Sequence, residues 1–400
     1  MRVETADGPV DLTYCTNIHA GETWDDIRAS LAGHLPEIRA AVAPGARMGV
    51  GLRLSAIAAE TLAAPAALDE FRGYLDDNDL YVFTINAFPY GPFHGRRVKE
   101  DVYQPDWSRP ERLVFADRAA EILAALVPAG GFGSVSTVPG TFKALATEDR
   151  VDAIVEGYLA HAARLVALER ATGRHIALAI EPEPCCFLET AEEAIGFFEG
   201  RLLAPAGLRR MAALCGVDDA AAERLIRRHV GLCYDVCHGA VEFEDPVAAL
   251  DDLAAAGISV PKIQLSCALE VPRTDDAALA ALKRFDDGVY LHQTVVRADD
   301  RLTRHADLAP AFAARADAGG APSEVWRVHC HVPIFQDGFG LLDSTRPDLL
   351  AVLETLRRRH LSPHLEVETY TWDVLPDELR GMSKSEGIAR ELAFVRERLG

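Results

Sequence analysis

Five separated runs of β-forming residues end in side chains that a buried strand cannot carry without partners. They are Ile180-Glu181-Pro182-Glu183, Cys233-Tyr234-Asp235-Val236-Cys237-His238, Lys262-Ile263-Gln264-Leu265, Val328-His329-Cys330-His331 and Glu366-Val367-Glu368-Thr369. Parallel strands covered on both faces are otherwise near-continuous apolar runs, so an ionisable residue at a strand end marks an end that faces a site. Five such ends in the back half of the chain point to one cluster assembled from distant sequence. The architecture that does this routinely is the (β/α)8 barrel, whose sites lie at the strand C-termini.

Strand-like and helix-like patterns alternate along the chain, which predicts a parallel sheet. Strands are expected over 11–17, 47–54, 80–86, 133–139, 175–181, 230–235, 261–267 and 364–368. Thr23-x-x-Asp26, Ser108-x-x-Glu111 and Thr190-x-x-Glu193 read as capping boxes, and Gly173 as a helix stop. Roughly a hundred residues separate the last two strands, far beyond an ordinary connection. They hold an insertion over 273–323, and a C-terminal helix is expected over 385–400. No linker or repeat divides the chain, so 1–400 reads as one barrel domain. An open doubly wound sheet would need a Gly-rich phosphate fingerprint after the first strand, and none is present.

A net charge of −20 argues against nucleic acid and anionic membrane surfaces as partners. The N-terminus lacks the apolar core of a signal peptide, and no apolar run is long enough to span a bilayer. None of the eight Cys forms a C-x-x-C pair, so reduced thiols in a cytoplasmic protein are expected. A homo-oligomer is compatible with the sequence.

Each candidate residue has a plainer alternative. Glu181 is a metal ligand or catalytic base, or a solvent-facing glutamate at a strand end. Asp235 and His238, three apart, can face one ion from two sides; the alternatives are a helix cap and a surface histidine. His329 and His331 share a face of a β-like run, as ligands or as core imidazoles satisfied by backbone. Glu366 and Glu368 also share a face, and at most one is needed at a site. Gln264 is a weak ligand, a hydrogen-bond partner, or a polar residue of the barrel interior. In the long loop after the third strand, Phe88, Tyr90, Phe93 and His94 wall a pocket or pack on the rim. Arg96, Arg97 and Lys99 meet a phosphate or carboxylate there, or are solvated surface charge.

The order Glu, Asp-x-x-His, Gln, His-x-His, Glu resembles the xylose-isomerase-like TIM-barrel superfamily. That group includes sugar-phosphate isomerases and epimerases and the AP-endonuclease family. Ile180-Glu181-Pro182 matches its strand-five segment, Asp235 and His238 its strand-six pair, and Val367-Glu368-Thr369 its final glutamate segment. Gln264 stands where a histidine is common, and His329 where an acid is common. The insertion carries Leu291-His292-Gln293, so His331 or His292 is a candidate for the missing ligand. This Leu-His-Gln motif, with His329-Cys330-His331-Val332-Pro333-Ile334-Phe335, more narrowly resembles the metabolite traffic subgroup of the bacterial ebo gene cluster.

The resemblance implies a divalent metal (Mn, Zn, Co, Mg or Fe) held by Glu181, Asp235, Glu368 and His331, with His329 and Gln264 as further candidates. It implies Glu181 and Glu368 as an acid/base pair and His238 as a group that orients substrate or supports a ligand. His19, Phe88, His94 and His292 are candidates to contact a small, sugar-like substrate. Three functions follow: a metal-dependent sugar or polyol isomerase or epimerase, a two- or three-metal phosphoesterase like the AP-endonuclease branch, and a non-catalytic metabolite-binding barrel. Extra imidazoles favour the second, and Gln264 with the insertion favours the third.

Overall fold

The computed structural model describes residues 1–91, 99–128, 130–286, 288–317, 324–373, 375 and 381–400. Eight parallel strands form a ring: β1 Gly8–Tyr14, β2 Met48–Arg53, β3 Leu80–Asn86, β4 Phe132–Thr137, β5 His175–Ile180, β6 Val230–Asp235, β7 Lys262–Leu265 and β8 His364–Val367. Their pairing order is β1-β8-β7-β6-β5-β4-β3-β2, with a short strand, Arg2–Thr5, antiparallel to β1. The ring closes between β1 and β2, where Cys15 bridges Gly51 in parallel. Side chains hold this seam in place of a ladder. Thr13 Oγ1 donates to the Gly49 carbonyl at 2.8 Å and accepts from the Gly51 N–H at 3.0 Å, and the Arg53 N–H reaches Thr16 Oγ1 at 2.8 Å. The fold is the expected (β/α)8 barrel.

Helices sheathe the ring. Trp24–Val42 starts at the expected Thr23–Asp26 capping box and buries Ile27, Leu31, Leu35 and Ile38 at helical spacing. Burying each such side chain stabilises the fold by roughly 1.5–3 kcal/mol. Glu148–Thr172 stops where Gly173 adopts φ 69°, a left-handed conformation that favours glycine. The Ser108-x-x-Glu111 box does not form. The Ser108 hydroxyl donates to Asp106 Oδ1 at 2.5 Å instead, and the helix Pro110–Leu126 begins after an uncapped Arg109.

Midway down, the barrel interior is polar. Buried Lys262 and Glu366 pair at 2.6 Å, and the ammonium also donates to Ser136 Oγ at 3.2 Å. Gly51 makes room for this pair, because a Cβ at that position would collide with the Glu366 carboxylate. Glu366 is therefore committed to the interior, and Glu368 alone reaches the mouth. Removing one partner would strand a buried charge at a cost of about 3–5 kcal/mol.

Between β7 and β8 lies a second sheet, antiparallel throughout. Its order is Arg301–His305, Thr294–Ala298, Val325–Val328, Leu269–Val271, Leu342–Ser344, Gly338–Phe339. The sheet extends beyond the expected 273–323 on both sides, because Leu269–Val271 and Leu342–Ser344 pair directly with each other. Charge contacts fasten it to the barrel: Arg304 to buried Glu242 at 2.6 Å, and Arg327 to Asp348 at 3.1 Å. Among the described residues, no helix is long and apolar enough to cross a membrane.

At the opposite end of the ring from the strand C-termini, His364 hydrogen-bonds Ser134 Oγ at 2.8 Å through Nδ1. Burial pushes this imidazole down from 6.5 to about 3, and His229 likewise to about 4. The unfolded chain therefore takes up these protons first. The neutral histidines cost nothing above 6.5, and stability drains as pH falls from there toward the folded values. For His364 the loss should reach about 2 kcal/mol by about pH 5. Denaturant titrations at about pH 7.5 and about pH 5 check this. A His364→Leu chain should lose less between the two than the parent does.

Candidate metal centre

Three barrel strands each bring a carboxylate to the C-terminal mouth. Glu181 follows β5, Asp235 ends β6 and Glu368 follows β8. The parallel register sets Asp235 beside Gln264 and Gln264 beside Glu366, which aligns these strand ends. One oxygen each of Glu181, Asp235 and Glu368 lies within 4.8 Å of the others, and all three residues are buried. Burial pushes the Glu181 and Glu368 carboxyls well above the usual range, and the negative charges beside them push the same way. Asp235 differs. Burial would raise it too, but His238, His331 and the Ser266 hydroxyl outweigh burial and hold it below the ordinary value.

Three carboxylates this close cannot all ionise unaided, so protons or a cation must sit among them. Buried polar atoms normally have partners. Glu181 Oε2, Asp235 Oδ2 and both amide atoms of Gln264 have no hydrogen-bond partner within the protein. Asn17 Nδ2 and Asn86 Nδ2 donate to Glu368 Oε1 at 2.7 and 3.3 Å, which turns Oε2 toward the cluster.

Beside the oxygens lies a set of nitrogens. Asp235 caps the short helix Val236–Val241, accepting from the His238 N–H at 3.1 Å, and so sets His238 in its first turn. His329 and His331 come from the segment after the accessory strand Val325–Val328. The sequence places them within a β-like run, but the strand stops at Val328 and an irregular segment carries both. The two imidazoles still converge: His329 Nε2 is 3.2 Å from His238 Nε2 and 3.1 Å from His331 Nε2.

The other ring nitrogens settle the tautomers. Nδ1 of His238 faces the Pro182 carbonyl at 2.8 Å, that of His331 the Glu368 carbonyl at 2.7 Å, and that of His329 Gln293 Oε1 at 2.9 Å. Only an N–H satisfies a carbonyl, so each Nδ1 carries a proton, and in His329 and His331, which burial keeps neutral, Nε2 is left with a lone pair. The Gln293 amide is oriented in turn, because its Nε2 donates to Tyr103 Oη at 2.8 Å and to Glu183 Oε1 at 3.1 Å. Lone pairs turned on one another repel, and a cation between them removes the conflict. Zinc–nitrogen bonds in a tetrahedron put nitrogens about 3.3 Å apart, close to the spacing here. Burial holds His329 well below the ordinary range and His331 at about 4, so both are neutral and able to ligate. Asp235 Oδ2 stands 3.7 Å from His238 Nε2 and 3.8 Å from His331 Nε2, so it borders both sets.

A cavity opens over the two sets, with about 580 Å³ of empty space that includes its opening to solvent. Phe88 lines it, together with Tyr103, Tyr290 and Tyr370. His19 does not: it hydrogen-bonds the Tyr14 hydroxyl at 2.9 Å and stacks on His34 with ring centres 4.2 Å apart. Nor does His292, which is buried against Asp307, 3.9 Å away. His94, Phe93, Arg96 and Arg97 lie outside the described residues. Lys99 is tied to Asp307 at 2.5 Å and to the Tyr290 carbonyl at 2.8 Å. Glu183 is buried and accepts from Tyr103 Oη at 2.6 Å. Sequence reasoning missed Gln293, Asn17, Asn86 and Tyr370, whose hydroxyl lies 3.4 Å from His329 Nε2. Asn86 stands at a strand end just as Glu181 does, so the same rule applied to amides would have found it.

No protein-family model matches the chain, and no curated protein does. Among solved structures it is similar to the IOLI protein with a bound zinc atom, at 14% identity over 97% of this chain and 98% of that one, with a TM-score of 0.47. It is similar to L-ribulose 3-epimerase at 12% identity over 98% and 94%, TM-score 0.46. It is also similar to the 3-keto-D-glucoside 4-epimerase YcjR from E. coli at 13% identity over 97% and 99%, TM-score 0.43. At such identities and scores the barrel and its mouth rest on their own strand order and distances.

Gln293→Leu removes the acceptor that orients His329 while leaving every candidate ligand in place. Outer hydrogen bonds to metal-bound histidines typically govern affinity by 10–100-fold. A loss of that size is expected for zinc, measured by competition with a chromogenic chelator.

Proposed function

We propose that the chain is a divalent-metal-dependent isomerase or epimerase acting on a small, sugar-like polyol. One observation carries the reading: Glu181 and Glu368 meet on the floor of a single cavity, both with raised carboxyl pKa values, beside converging neutral histidines. The partnerless oxygens and opposed lone pairs fit a cation. Glu181, Asp235 and Glu368 would hold it from the oxygen side, and His238, His329 and His331 from the nitrogen side. A divalent ion there supplies Lewis-acid polarisation of a substrate oxygen.

The remaining chemistry belongs to the side chains. A carboxyl raised above its ordinary range is a stronger base once ionised, suited to taking a proton from a carbon acid and returning it. Glu181 and Glu368, from different strands, offer two such groups to one substrate. Asn17 and Asn86 fix Glu368 through Oε1, which leaves Oε2 to exchange the proton. The aromatic walls restrict water over the reacting carbon. The residue order that resembles sugar isomerases and epimerases supports the substrate class. The narrower likeness to the ebo-cluster subgroup supports a place in small-metabolite biosynthesis or traffic.

A second reading, two-metal phosphoester hydrolysis, is favoured by one feature: Asp235 borders two separate ligand sets, as a carboxylate bridging two ions would. Elemental analysis of the purified protein separates the two readings. One metal per chain supports the isomerase, and two support the hydrolase together with cleavage of an aryl phosphodiester. The proton-transfer step is tested in D2O, where the metal-loaded parent should wash deuterium into the carbon beside the carbonyl of a ketose. Glu368→Gln should slow that exchange by at least about 100-fold with the fold intact. No exchange by the parent over a panel of ketoses removes the isomerase reading.

A further inference from the structure

We infer that Glu391, on the C-terminal helix Lys384–Leu399 and outside the cavity, is a positioning residue that holds the histidine-bearing and glutamate-bearing segments in register. The inference rests on the metal reading proposed above. Glu391 is 1% exposed, an unusual place for a carboxylate. Its Oε1 accepts from two donors, the Ile334 N–H at 3.1 Å and the Thr369 hydroxyl at 2.7 Å. Ile334 lies three residues past His331, and Thr369 directly follows Glu368. A single oxygen thus ties together the two segments whose ligands must face one another.

These segments need such a tie because neither has a ladder of its own there. Residues 329–333 form neither strand nor helix, and β8 has already ended at Val367. What holds the first segment is a short set of outside bonds: His329 N–H to the Gln293 carbonyl at 2.8 Å, His331 Nδ1 to the Glu368 carbonyl at 2.7 Å, Val332 N–H to the Cys267 carbonyl at 3.0 Å, the Thr371 hydroxyl to the His331 carbonyl, and Ile334 N–H to Glu391, which is the last of these and the one at the segment's far end. The helix does not need Glu391 in order to dock. Ile388, Leu392, Val395 and Leu399 already bury its apolar face, and Ser383 with Glu386 closes a capping box at its start. An apolar residue at 391 would serve packing alone as well or better. Burial lifts the Glu391 carboxyl to about 7, and Oε1 accepts in either protonation state.

The test titrates cobalt(II) into the metal-stripped full chain and follows its visible absorption, which reports ligand geometry. Glu391→Leu should weaken cobalt binding 10–100-fold and alter the absorption bands, while thermal unfolding stays cooperative. Glu391→Gln, whose amide oxygen can accept from the same two donors, should stay within about 3-fold of the parent with its spectrum unchanged. An unchanged Glu391→Leu, or a Glu391→Gln as impaired as Glu391→Leu, overturns the positioning role. If Glu391→Leu does not fold cooperatively, Thr369→Val takes its place: weakened binding supports the role and unchanged binding overturns it. A parent chain that takes up no cobalt overturns the metal reading and this role with it. A parent that binds while the variants match it overturns this role alone.

Discussion

Asp235 is the residue on which the mouth of this barrel depends. Its Oδ1 is fully engaged, accepting from the Ser266 hydroxyl at 2.6 Å and from the His238 N–H at 3.1 Å. That engagement caps a helix of only six residues and sets His238 at the edge of the cavity. Its Oδ2 is left facing both Glu181 and Glu368 on one side and two imidazoles on the other. The carboxylate is therefore a structural cap through one oxygen and a candidate ligand through the other. Of the two readings weighed for it from the sequence, the cap is the role of Oδ1, and Oδ2 is left for the ligand reading.

Around that residue the labour is divided. The barrel contributes carboxylates, delivered by strand ends whose register follows from parallel pairing. The accessory antiparallel sheet contributes His329, His331 and Gln293. It is fastened to the barrel by Arg304–Glu242 and Arg327–Asp348 contacts. Each imidazole donates from Nδ1 to a carbonyl fixed elsewhere, two of them on the backbone beside the barrel's own glutamates, at Pro182 and Glu368.

Much of this was legible in the sequence. Apolar runs ending in Glu181, Asp235 and Glu368 announced a barrel mouth, because nothing else makes such endings tolerable in buried strands. The Thr23–Asp26 box and the Gly173 stop were legible because both are local. Ser108 failed because a nearer partner competes: Asp106, two residues before it, captures its hydroxyl. The accessory sheet was invisible as a sheet, since its strands are short and its pairings join Leu269–Val271 to segments more than fifty residues away. His19 and His292 misled because a histidine near a strand end carries the same signature whether it faces the cavity, stacks on His34, or turns toward Asp307.

The split between barrel and accessory sheet also shapes the donor chemistry of the candidate centre, to which the barrel brings three carboxylates and one imidazole, His238. Strand ends alone would present oxygen, a hard set that suits magnesium or manganese. The segment after Val325–Val328 adds imidazole nitrogen, which moves the preference toward zinc, cobalt or iron. On the metal reading proposed above, the donor set, and with it the choice of metal, depends in part on a piece of chain outside the eightfold ring.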